Sequence, residues 1–176
     1  MSRVPYHTID SAPDASRPLL QKVAQSSPTG RPLNLHAQMA HAPAVLASYA
    51  SLRAATVDHG TLGPKISWAL NLATAATVGS DYMIGIASRF ARTSGWTEAQ
   101  TASLRAGATT GDTRIDALIR VVREAAANSG CVTDATWKTA QQAGWNDVHL
   151  TEAFAYLGLT LFTGYFLNYA QTDADI

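Results

Sequence analysis

The chain has 176 residues, with 13 basic side chains balanced by 13 acidic ones, and its single cysteine is Cys131. That length suits one domain burying about 70% of its unfolded surface. The absence of any basic stripe excludes a nucleic-acid binder, and one thiol excludes an internal disulfide framework and fits a reducing cytoplasm. Charged residues are only 15% and apolar ones 47%, so much surface must be hidden, in part against other subunits.

Residues 1–11 form a polar, extended lead with none of the apolar core of a signal peptide. Ser16-Arg17-Pro18 starts a helix that carries Leu19, Leu20 and Val23 on one side. The run 26–32 (SSPTGRP) is a loop by composition, and 33–41 a short helix. Pro43 opens a longer helix toward His59, with Leu46, Tyr49 and Leu52 on one face, and Gly60 ends it. The single domain thus divides into N-terminal covering helices over 1–61 and a core helical bundle over 62–176.

The organising stretch is 62–95, two helices back to back. Pro64 suits a first helical turn, where its missing N–H is no loss. Gly79 is placed to close that helix in the left-handed conformation, and Ser80 or Asp81 to cap the next, which runs toward Gly95. Further on, Thr97-Glu98-Ala99-Gln100 has the pattern of a capping box. Asp112 caps a helix with the stripe Ile115, Leu118, Ile119 and Val122, Thr133 or Asp134 starts a short one ending at Gly144, and Asn146 caps a long last helix from Asp147 to about Ala170. No stretch alternates as a strand does, and alanine is abundant. The expected class is all-α, a bundle of antiparallel helix hairpins.

Gly95-Trp96-Thr97-Glu98 and Gly144-Trp145-Asn146-Asp147 repeat one pattern (closing Gly, Trp, polar cap, acid) 49 residues apart. Two related helical hairpins account for it, with the tryptophans as packing anchors. The last helix has no charge from residue 153 to 172, a length that would span a bilayer. Its polar Thr, Asn and Gln residues and the lack of flanking basic ones favour a buried core helix over a membrane span. It carries Leu150, Phe154, Leu157, Leu161 and Tyr165 on one face and Phe162 and Phe166 on another. Cover on several faces calls for a homo-oligomer.

Asn34…His41-Ala42-Pro43, Leu62-Gly63-Pro64-Lys65, the corner from Gly79 to Met83, Gly95, the block 112–144 and the tail with Tyr165-Phe166 and Thr172-Asp173 together resemble the carboxymuconolactone decarboxylase and alkylhydroperoxidase-D-like family, in its longer form. The resemblance implies that family's helical fold and a homotrimer or homohexamer. Its peroxidase members carry a Glu, about a dozen residues later a Cys-x-x-Cys, and then a His: a low-pKa thiolate attacks peroxide, the second Cys resolves the sulfenic acid, and Glu and His move protons. Aligned on Pro64-Lys65, Trp68 stands at the Glu, Ser80 and Met83 at the two cysteines, and Ala87 at the His, while Tyr82 matches an aromatic often found between the cysteines. No Cys, His or Glu occurs anywhere from residue 60 to 96, so no shift of alignment restores a dithiol peroxidase.

The candidate pocket is therefore Trp68, Ser80, Tyr82, Met83 and Ala87, with Asp81 and Tyr82 as the obvious substitute acid–base pair, or a histidine of the N-terminal helices in their place. Asp81 also reads as an ordinary helix-start acid favouring the dipole. His7, His36, His41, His59 and His149 never pair at helical ligand spacing, so neither a metal nor another cofactor is expected. His36 and His41 lie on helices that cover the pocket in long family members, although surface or capping roles suit them too. Three functions stay open: a scaffold binding a small hydrophobic molecule at the corner, a lyase-, isomerase- or decarboxylase-type enzyme with replaced acid–base residues, or a non-catalytic structural subunit.

Overall fold

The computed structural model describes residues 2–25, 27 and 30–175. Among them are α1 (Arg17–Gln25), α2 (Asn34–Met39), α3 (Pro43–His59), α4 (Gly63–Val78), α5 (Asp81–Thr93), α6 (Glu98–Ala106), α7 (Thr113–Ala127), α8 (Asp134–Gln142) and α9 (Asp147–Ala170), and no strand. The all-α expectation holds. Residues 27 and 30–32 of the expected loop are non-helical, and its residues 26, 28 and 29 lie outside the described part. The backbone groups into two compact units: one holds the residues up to Asp58 together with those from Tyr165 on, the other is His59–Gly164.

In the larger unit α4 is the axis, touching α5, α6 and α7. Its residues 69–75 are buried on every side, which a helix tolerates only when apolar or small groups face all directions; Ala69, Leu70, Leu72, Ala73 and Ala75 supply them. Around it close Ala87 and Ala91 of α5, Leu104 of α6, Leu118 and Val122 of α7, Ala140 of α8, and Leu150 and Ala153 of α9. Each buried leucine contributes about 1.5–3 kcal/mol.

The helix ends follow their chemistry. Gly79 closes α4 at φ 68°, a conformation that costs glycine nothing and other residues a steric penalty. Leu62 cannot cap the start of α4 with its side chain, and Glu152 of α9 does so instead: its carboxylate accepts from the N–H groups of Thr61 (2.7 Å) and Leu62 (3.0 Å) and from the Thr61 hydroxyl (2.5 Å). Burial raises the pKa of Glu152, but these bonds outweigh it and hold the carboxyl below its ordinary range. Burial and that neighbouring carboxylate push the Tyr156 phenol up to about 12. The capping box at Thr97 and Gln100 forms in both directions, and Asp112, Thr133 and Asn146 accept backbone N–H bonds at the starts of α7, α8 and α9.

The repeated Gly-Trp pattern is a repeat in space. Trp96 Nε1 donates to the Lys65 carbonyl at 2.8 Å and Trp145 Nε1 to the Arg114 carbonyl at 2.7 Å, each 31 residues back along the chain. Lys65 Nζ lies 5.0 Å from the centre of the Trp96 ring, and Arg114 Cζ 3.8 Å from that of Trp145. The tryptophans thus lock the start of α4 and of α7 in the same way, by ring burial, one hydrogen bond and one cation over the ring face.

The first of the two expected apolar faces of α9 is covered only in part within the chain. Leu150 and Leu157 are buried, Leu161 is half-buried, and Phe154 and Tyr165 are exposed. By length and composition α9 could cross a membrane, yet half of its most apolar window is buried within the protein, as in a core helix.

In the smaller unit the extended lead and the tail hold α2. His7 N–H donates to the Ala37 carbonyl at 3.0 Å, and Arg3 N–H to that of Ala170 at 2.9 Å. The Asp175 carboxylate accepts the Asn34 N–H at 2.7 Å, and the Tyr6 hydroxyl bonds to Asp173. The buried Gln38 side chain donates to Val4 O at 2.8 Å and accepts from Thr172.

Candidate functional site

The corner between α4 and α5 carries the five candidate positions. Met83 and Ala87 are one turn apart on the inner side of α5, Ser80 is its N-cap residue, and Trp68 is on α4, partly buried. Ser80 and Ala87 have no exposed surface, and Tyr82 and Met83 are buried. Asp81, the neighbouring acid, is exposed. Alanine at 87 joins the main core cluster, and Trp68 and Ile84 pack against the edge of that cluster.

The Trp68 ring stacks on Phe90, with centroids 4.6 Å apart and planes 15° from parallel. Phe90 was missed in the sequence, although it lies on the same helix as Met83, seven residues on, and so shares its side. Both rings of the stack are only partly buried.

Ser80 sits at the N-cap of α5 without acting as one: its side chain makes no cap bond, and its Oγ is buried with no partner. Gly164 of α9 packs against it, since a Cβ at 164 would come within 3.2 Å of the Ser80 Cβ. This contact too was invisible in the sequence, because nothing local links residues 80 and 164. Deeper on α4, Asn71 accepts a hydrogen bond from the Thr160 hydroxyl at 3.1 Å. The corner therefore offers buried hydroxyls and aromatic rings, and no thiol, imidazole or glutamate along α4 and α5.

His7, His36 and His41 lie in the smaller unit, His59 and His149 in the larger. His36 is not at the surface: it is buried on α2, with Nε2 3.2 Å from the Tyr49 hydroxyl and no partner for Nδ1. Burial, helped by the Arg53 charge, lowers its pKa to about 4. His41 is exposed, its Nδ1 3.0 Å from Nε2 of His7. Among the described residues no group of three or more His, Cys, Asp or Glu side chains converges as a metal site would require, and Cys131 is exposed.

No family profile matches the chain, and no curated protein matches it. Solved structures do. An uncharacterised peroxidase-related protein from Ralstonia eutropha JMP134, described as an alkylhydroperoxidase AhpD core, superposes with a TM-score of 0.85 at 17% identity, covering 99% of this chain and 92% of that one. A peroxidase-related protein from Silicibacter sp. TM1040 gives 0.78 at 14% identity, over 99% and 95% of the two chains. The debrominase Bmp8 gives 0.80 at 11% identity, over 99% and 93%, and a cysteine-to-alanine variant of it is seen in complex with 2,3,4-tribromopyrrole. The fold of this chain is alkylhydroperoxidase-D-like, as the resemblance implied.

Proposed function

We propose that the chain is a non-peroxidatic member of the carboxymuconolactone decarboxylase and alkylhydroperoxidase-D-like family, a homotrimer or homohexamer of the cytoplasm whose α4–α5 corner binds a small, flat hydrophobic molecule. The observation that carries this reading is the Trp68–Phe90 stack. A tryptophan occupies the position of the family's proton-carrying Glu, and its ring forms with Phe90 a parallel aromatic platform that is still partly open. Such a platform gains about 0.5–1.5 kcal/mol per stacked ring beyond area burial. The family's peroxide chemistry needs a thiolate, and the corner has no cysteine. Its loss of reactive groups in favour of aromatic and apolar ones suits binding better than turnover. A neighbour of the same fold acts on a brominated substrate class and holds 2,3,4-tribromopyrrole, a ligand of the expected size and flatness.

Isothermal titration with 2,3,4-tribromopyrrole as probe tests the reading. Saturable binding is expected in the wild type, weakened about tenfold in Trp68→Ala, the equivalent of one lost stacking contact. Absence of binding in the wild type, or equal binding in both proteins with only stability reduced in the variant, would make Trp68 a packing residue and favour the structural-subunit reading.

A further inference from the structure

We propose that the groove between α1 and α3, within the smaller unit, binds a straight-chain aliphatic carboxylate, its head on Lys22 and Arg53 and its alkyl chain along α3. The groove has a volume of about 350 Å³, within the range of small-molecule sites. One face of each helix lines it. On α3, Ala50, Arg53, Ala54 and Val57 recur at three- and four-residue spacing, and Leu19, Lys22 and Val23 do the same on α1.

The apolar part of the groove is left uncovered by the unit's own packing. Val23 is buried, Leu19 and Ala54 are half-buried, and Val57 is 68% exposed. Helix α3 is anchored instead through a neighbouring face, by the buried Leu46, Tyr49 and Thr56. The alanines at 50 and 54 keep the groove wall low, where larger side chains would fill the gap.

Charge selects the occupant. Neither Lys22 nor Arg53 forms an ion pair with a described carboxylate, and the one acid lining the groove is Asp58, next to Val57. An ammonium and a guanidinium offer the two oxygens of a carboxylate charge-assisted hydrogen bonds, while their aliphatic stems extend the apolar wall. Asp58 repels a carboxylate from the Val57 end, so the head lies toward Arg53 and the chain over Ala54 and Val57. An inorganic anion would leave Val57 bare, and an alcohol or amine would leave the two cations unanswered. The seven residues from Ala50 to Val57 rise about 10 Å, enough to lie beside a chain of about eight carbons. Because Val57 opens to solvent, such a ligand exchanges freely and is lost on purification.

This site stands apart from the reading of the α4–α5 corner, and titration calorimetry of the full chain with sodium octanoate tests it alone. Saturable binding of one octanoate per chain is expected at low salt, weakened at least about tenfold for octanol and for the double variant Lys22→Gln/Arg53→Gln. Ala54→Leu should abolish binding with unchanged helical circular dichroism, and Trp68→Ala should bind as the wild type does. Absence of octanoate binding in the wild type would overturn the proposal, as would equal binding of octanol or undiminished binding in the double variant. Loss of binding in Trp68→Ala would assign the acid to the corner and overturn it too. Failure of the wild type to bind, with a smaller assembly in Val57→Glu by light scattering, would give the groove to a second copy of the chain instead.

Discussion

Ser80 occupies an N-cap position, where serine normally stabilises a helix by about 1 kcal/mol through its side-chain oxygen. Here the Oγ makes no such bond and is buried unpartnered against Gly164. Ser80→Ala should then leave stability unchanged or raise it by up to about 1 kcal/mol, since removing an unsatisfied buried hydroxyl relieves its desolvation; urea unfolding would show this, and a loss of about 1 kcal/mol would mean that the hydroxyl is bonded after all. His36 gives a prediction in pH. Unfolded, its pKa is near 6.5, and folded it is about 4. Above pH 6.5 both states are neutral. Between 6.5 and 4 the unfolded chain takes up a proton that the folded one refuses, so stability falls as pH drops through that window, by up to about 3 kcal/mol. His36→Gln should flatten this part of the profile, measured by denaturant unfolding at pH 7.5 and 4.5. The depressed carboxylates of Glu152 and Asp116 act in the same direction but lower, as pH falls below the ordinary carboxylate range. At this scale the sequence was only half legible. The positions on α5 could be read from the chain, because helix spacing is local. The distant partners Gly164 and Tyr49 could not, and they decide how Ser80 and His36 are packed.

Helices were the most readable level. Capping chemistry is written within four residues, so Thr97-Glu98-Ala99-Gln100, Asp112 and Gly79 announced ends that the structure places where they stand. The start of α4 was harder, since its cap is Glu152, some 90 residues away. On α9 periodicity showed which residues align but not how many of them the chain's own packing covers. The 49-residue repeat makes a paired prediction. Trp96→Phe and Trp145→Phe each keep a ring and lose one indole N–H bond to a carbonyl of the preceding hairpin. Each should cost about 1 kcal/mol, and the two costs should agree within about 0.5 kcal/mol. A large inequality in thermal unfolding would show that the second lock is a resemblance of sequence without equivalent function.

For the whole molecule, an all-α class followed from alanine content and missing alternation, and the AhpD-like fold from turn punctuation spread along most of the chain. Activity did not follow, because no Cys, His or Glu occurs from residue 60 to 96 to mark a reactive site. What remains is a scaffold whose corner is aromatic and apolar, and whose longest helix leaves an uncharged face outward. Both features suit the proposed reading of a scaffold that binds a small molecule. Native mass spectrometry of the freshly purified protein reads assembly and cargo together. A trimer or hexamer carrying one added small mass per chain, absent from Trp68→Ala, is the expected result. An oligomer whose wild-type and variant masses differ only by the replaced side chain, with nothing added to either, would contradict it.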